Sequence, residues 1–121
     1  VPFQYILANL LAHNEGSVGV LFLDGDGETV DLACSEYTPY QMKVVGAYLG
    51  IYLRQLGALV KEHQAGQVEL IHLEREKVHI HAISLPDGYY LVLVQRPPVM
   101  VAKARETLRE AARQLTVALF R

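Results

Sequence analysis

Residues 18–30 read VGVLFLDGDGETV. The first six, Val18 to Leu23, are almost wholly aliphatic or aromatic, and Thr29 to Cys34 resumes the same β-branched and aliphatic character. Between them Asp24, Gly25, Asp26 and Gly27 are residues that tolerate positive φ and can reverse a chain. The stretch predicts a β-hairpin, and the rest of the fold is read outward from it.

Upstream, apolar residues at Phe3, Ile6, Leu7, Leu10 and Leu11 mark a short helix from Phe3 to His13, which Asn14, Glu15 and Gly16 break. Downstream, Thr38, Pro39, Tyr40 and Gln41 open a second helix. Thr38 suits the cap, Pro39 the first turn, and Gln41 can close a capping box. This helix should run to about His63 and stop at Gly66. Three strands are expected at Gln67 to Leu73, Val78 to Ser84 and Tyr89 to Gln95, joined by turns at Arg75 and Glu76 and at Pro86, Asp87 and Gly88. Beyond Pro97 and Pro98, the spacing of Val101, Ala104, Leu108, Ala111, Leu115 and Ala118 gives one apolar face of a last helix. The order is helix, two strands, helix, three strands, helix. It predicts an α/β (α+β), profilin-like, three-layer α-β-α sandwich around a five-stranded antiparallel sheet.

With 121 residues, 51% of them hydrophobic, the chain is the size of one domain, 1–121, with enough apolar side chains for one core. A formal charge of −2 and interleaved acids and bases argue against nucleic acid as a partner. Apolar runs such as Val18 to Leu23 and Tyr89 to Val94 are six residues long and no run reaches the about 20 that a membrane-spanning helix needs, so no membrane insertion is expected. Cys34 is the single cysteine, which rules out an intrachain disulfide and suits a cytoplasmic location. The opening Val1, Pro2, Phe3, Gln4 lacks an initiating Met and the marks of a signal peptide, so residues are expected to precede it.

This plan resembles the Roadblock / dynein light chain family. The likeness runs through nearly the whole chain: the VGVLFLDGDGETV hairpin, the long helix with its small residues, and the closing meander and helix. The resemblance implies a non-catalytic dimeric regulatory or scaffolding module. Bacterial and archaeal members of the gliding-motility type commonly act with Ras-like small GTPases. It also implies pairing through the long helix and the strand after it, here including Gln67, Glu69 and Ile71.

The helix itself carries a second reason to expect a partner. At about 100° per residue, Met42, Val45, Leu49, Tyr52, Leu53, Leu56 and Val60 gather on one face and suit a sheet. Val44, Tyr48 and Ile51 lie elsewhere, as a second apolar patch. Gly46, Gly50 and Gly57 are spaced by four and seven and line up, although each Gly in a helix interior costs about 1 kcal/mol relative to Ala. Aligned glycines let another backbone approach closely, most simply the same helix of a second copy across a two-fold axis. The lesser alternative is that they make room for bulky neighbours inside one subunit.

Candidate chemistry is sparse. With a turn centred on Arg75 and Glu76, His72 would sit opposite His79, with His81 on the same face. Three imidazoles could hold zinc, but flat strands rarely aim side chains at one point, and a polar cluster beneath a helix or at an interface is the plainer expectation. Asp24, Asp26 and Glu28 lack the distal ligands of a calcium loop and read as a turn. No nucleophile motif, P-loop or GxGxxG is present, so no catalytic residue and no cofactor are assigned and the chain is read as not an enzyme. Arg105, Arg109 and Arg113 interleave with Glu106 and Glu110 as a solvated face, and none is marked as an arginine finger. Two other classes stay in view: a small-molecule sensor of profilin-like or PAS-like build with its ligand between sheet and helix, and a histidine-based metal-binding protein.

Overall fold

The computed structural model describes residues 2–64, 66 and 68–120. Helix α1 spans Pro2–His13, strands β1 and β2 span Ser17–Leu23 and Thr29–Cys34, and helix α2 spans Pro39–Glu62. Strands β3, β4 and β5 follow at Leu70–Glu74, His79–Ser84 and Tyr90–Gln95, and helix α3 closes the chain at Val101–Phe120. The five strands form one sheet in the order β2-β1-β5-β4-β3, antiparallel at every pairing. The three-layer sandwich expected from the sequence is the architecture found.

Alternation along β1 shows how one strand serves two cores. Val20 and Phe22 pack with Ile6, Leu7 and Leu10 of α1 and Ala104, Leu108 and Leu115 of α3. Leu21 and Leu23 point to the other side and pack with Met42, Leu49 and Leu53 of α2. Successive side chains of a strand face opposite ways, so a strand covered on both faces must be apolar throughout, and every β1 residue from Val18 to Leu23 is buried.

Helix α2 begins as its sequence predicts. The Gln41 backbone N–H donates to the Thr38 hydroxyl at 3.1 Å, and the Thr38 N–H donates to the Gln41 side-chain oxygen at 2.9 Å. The line it presents to the sheet differs from the expected one. Its buried residues are Met42, Gly46, Leu49, Gly50 and Leu53, while Tyr52 and Leu56 are exposed. Helix α2 lies over β1 and β2. Its two buried glycines rotate the contact line toward themselves by letting the helix settle closely, and past Leu53 no residue of the helix is buried.

The β3–β4 hairpin also departs from expectation. Strand β3 starts at Leu70, and Gln67 lies outside the described residues. The turn closes with the Arg75 N–H donating to the Val78 carbonyl at 2.9 Å, which centres it on Glu76 and Lys77. His72 therefore pairs with His81, and Glu74 pairs with His79. A shift of the centre by one position moves each partner by two residues, so the three histidines stay on one face.

Candidate functional site

Two features stand out from this frame: the outer side of α2 with the β3 edge, and the histidine cluster on the opposite face of the sheet. On α2, Tyr40, Val44, Tyr48, Ile51, Tyr52, Leu56 and Leu59 are all exposed, with Tyr48 and Tyr52 at 63% and 64%. Positions 40, 44, 48, 51 and 52 recur at three- and four-residue helical spacing, with 59 seven residues beyond 52, all turned away from the line that meets the sheet. Surface apolar residues are ordinary singly, whereas a contiguous run of this size marks a place where another surface belongs.

The sheet shows a matching gap. Helix α2 covers β1 and β2, so on its side of the sheet β3 and β4 have no helix of their own. There Ile71, Val78 and Ile80 are half-buried and Leu73 is 44% exposed. Strand β3 is also a terminal strand of the sheet, with one edge unpaired among the described residues. Backbone groups on such an edge favour pairing with another strand. Glu69 is exposed just ahead of β3, and its carbonyl accepts from the Ser84 N–H at 2.9 Å, so the pairing continues one residue past the strand.

The glycines do not play the part expected of an outward stripe. Gly46 is buried against its own subunit, where an added Cβ would lie 3.0 Å from Leu23 Cδ2 and 3.2 Å from Leu21 Cδ1. Gly50 meets the hairpin turn, and its Cβ would lie 2.9 Å from Gly27 Cα. Gly57 alone of the three looks into open space. The first two glycines are explained inside one chain, so the exposed apolar residues, not the glycines, carry the case for a partner surface.

On the other face, His72, His79 and His81 are brought together with one ring nitrogen from each within 4.8 Å of the others. His72 Nε2 and His79 Nδ1 are 2.9 Å apart and share a hydrogen bond, and the His72 and His81 rings stack 4.5 Å apart. His81 is fully buried, and neither ring nitrogen has a hydrogen-bond partner. An unpartnered buried polar group costs about 1–3 kcal/mol, so this side chain needs an explanation. Burial, followed by the nearby His72 and His79, pushes its pKa down to about 4, with Gln95 opposing and Arg105 of α3 adding to the shift. Glu74 Oε1 stands 3.8 Å from His79 Nε2.

Sequence reading placed the three imidazoles on one face but missed Gln95, Glu74 and Arg105 around them. Gln95 was detectable in principle, because it ends β5 in step with Leu91 and Leu93, which face the same way. Its amide nitrogen donates to the Glu15 carbonyl at 3.2 Å, while its Oε1 is buried without a partner.

The remaining candidates resolve simply. Asp24 Oδ1 accepts from the N–H groups of Asp26 and Glu28 at 2.9 and 3.0 Å, a turn held by its own side chain. Cys34 is a half-buried strand residue. Arg113 pairs with Glu110 on the exposed side of α3. Under α2 as far as Leu53 the space against the sheet, where a sensor's ligand would sit, is filled by Met42, Leu49 and Leu53 against Leu21 and Leu23. Farther along α2, a cleft of about 670 Å³ opens to solvent between Gly57 and Lys61 on the helix and Ser84, Tyr90 and the Pro86–Gly88 turn. No helix among the described residues is long and apolar enough to cross a membrane.

No family model and no curated protein matches the sequence. Solved structures match the fold closely. A Roadblock/LC7 domain from Streptomyces avermitilis has a TM-score of 0.86 at 11% identity, covering 97% of this chain and 97% of its own. Myxococcus xanthus MglB has a TM-score of 0.86 at 14% identity, covering 96% of this chain and 93% of its own. MglC from Myxococcus xanthus reaches 24% identity at a TM-score of 0.72, covering 98% of this chain and 100% of its own. The fold is that of Roadblock/LC7 domains.

Proposed function

Proceeding from a Roadblock/LC7 fold, we propose that this chain is a non-catalytic regulatory or scaffolding module of the cytoplasm that works as a homodimer and binds or modulates a Ras-like small GTPase. The observation that carries the reading is the run of exposed apolar side chains along α2, Val44, Tyr48, Ile51 and Tyr52 at its centre. A second copy is the occupant that best suits it. One two-fold axis would set α2 against its equivalent and β3 against β3, so both unpartnered features are covered by one self-complementary contact. A stable interface buries roughly 800 Å² per partner, which seven large side chains and a strand edge are enough to supply.

The GTPase part of the reading rests on the likeness to MglB and MglC, whose fold this chain shares. In the assembled dimer the docking surface would be the helix-bearing face. The arginine of α2, Arg54, sits beside the Gly27 turn of its own chain and the sequence marks no arginine finger, so modulation would proceed by shaping the GTPase's own residues.

Light scattering across a dilution series tests the first half. A mass of two chains that persists to low concentration supports the dimer, and a single-chain mass at every concentration removes it. The second half is tested by binding to purified Ras-like GTPases loaded with GDP or a non-hydrolysable GTP analogue. Preference for one nucleotide state, lost in Tyr48→Glu, is the expected result. Absent binding to both states by a confirmed dimer would leave a scaffold without this partner, and equal binding to both would leave a GTPase scaffold that does not read the nucleotide.

A further inference from the structure

We propose that His72, His79 and His81 form a binding site for one divalent transition-metal ion of the zinc class, set between β3 and β4 under α3. The inference does not depend on dimerisation or on a GTPase.

The strands supply the convergence. The register places His72 directly across from His81, and His79 lies two residues earlier on the same face of β4. Tetrahedral zinc with Zn–N bonds of about 2.0–2.1 Å holds its ligand nitrogens ~3.3 Å apart. His72 Nε2 and His79 Nδ1 are already at 2.9 Å, and one nitrogen from each ring lies within 4.8 Å of the others. Ligation needs the rings to turn from their stacked arrangement so that their lone pairs meet. The terminal torsion of histidine is broad, and His72 is only half-buried, so it has room to turn. The proton shared by His72 and His79 moves to the far nitrogen of its ring, as the two neutral tautomers allow.

His81 supplies the independent sign of a ligand. It is fully buried with both nitrogens unpartnered, and the Oε1 of neighbouring Gln95 is buried and unpartnered as well. Gln95 lies beside the ring and can partner at most one of its nitrogens, which leaves the other for a coordinated ion to complete. Metal-bound imidazoles ordinarily donate their other N–H to a carbonyl or carboxylate that fixes the ring. Gln95 Oε1 offers that acceptor to His81. Glu74, with its carboxylate oxygen 3.8 Å from His79 Nε2 and its side chain largely exposed, can swing in as fourth ligand or leave that position to water.

The test is titration of the chelator-treated full chain with Zn²⁺ by calorimetry, and with Co²⁺ by visible absorption. The expected result is one ion per chain, micromolar or tighter, with the intense cobalt bands of a four-coordinate nitrogen-rich site. His72→Ala and His79→Ala should each weaken binding more than about tenfold, while the double variant His13→Ala/His63→Ala binds as the unsubstituted chain does. Circular dichroism of each variant separates lost binding from lost folding, and the cobalt spectrum of the unsubstituted chain reports the ligands without any substitution. No saturable binding below about millimolar metal, or binding that follows His13 and His63, overturns the proposal. So does one ion per two chains, which would place the ligands across two copies.

Discussion

At Gly50 and Gly57 two chemically identical substitutions should have opposite effects. A Cβ on Gly50 would press on the Gly27 backbone at 2.9 Å, and backbone cannot rotate out of the way. Gly50→Ala is expected to lose about 1–2 kcal/mol, the crowding outweighing the better helix propensity of Ala. Gly57→Ala meets nothing within 4 Å and should gain up to about 1 kcal/mol. Urea denaturation of the two variants checks the pair, and equal shifts would contradict it. His81 makes a separate prediction for the metal-free protein. Its pKa falls from 6.5 to about 4 on folding, so below pH 6.5 the unfolded chain binds the proton that the folded chain refuses. The stability held by the neutral ring is present above pH 6.5 and is lost as pH falls toward 4. The groups facing it are His72, His79, Gln95 and Arg105, with Glu74 beside His79. Between pH 6.5 and 5 its share of the loss should be about 1–2 kcal/mol. Melts in chelator should show a shallower decline for His81→Phe than for the parent. Identical pH profiles would mean that His81 does not set this slope.

At the scale of elements, α2 depends on its first turn and is exposed along its outer side. The reciprocal bonds between Thr38 and Gln41 satisfy donors that the helix would otherwise leave bare, so Thr38→Ala should cost about 1 kcal/mol in a thermal or urea melt, with dimer mass unchanged. A variant as stable as the parent would mean that the cap contributes nothing. This cap was legible in the sequence because a capping box is a local pattern: Thr, then Gln three residues on, either side of Pro39. The hairpin at Asp24 to Gly27 was legible for the same reason. The face of α2 was legible only in part. Periodicity ranked Tyr52 and Leu56 with the sheet-facing residues because it weighs hydrophobicity and not volume, whereas in the fold Gly46 and Gly50 take those places by allowing close approach. The β3–β4 register slipped by one turn position because Arg75, Glu76 and Lys77 carry no Gly, Asn or Pro to fix the centre. That the histidines shared a face survived the slip, since alternation repeats every two residues. The buried, unpartnered state of His81 could not be read from sequence, because it depends on what α3 and Gln95 place around it.

For the whole molecule, the sheet has two unlike ends. Strand β2 forms one edge beneath α2, and β3, the other edge, also leaves its α2-side face bare. A lone domain with this shape would expose apolar surface and unpaired backbone together, the combination that leads to uncontrolled strand association. Pairing β3 with β3 of a second copy would turn that liability into a continuous ten-stranded sheet, flanked on one face by two α2 helices. If so, folding and assembly are linked by mass action, and the melting temperature should rise with protein concentration. Tyr48→Glu or Ile51→Glu places a charge in the apolar contact and should weaken association at least tenfold, leaving a folded monomer because both side chains are exposed in the single chain. The same substitution should release the amide protons of β3 to exchange while leaving those of β1 protected, since β1 has partners on both sides within one chain. Hydrogen exchange on the parent and the charged variant, at a concentration where the parent is dimeric, measures this directly. Faster exchange confined to β3 and the outer turns of α2 would place the contact there. Unchanged exchange in β3, with the variant monomeric, would mean that the helices associate without joining the sheets.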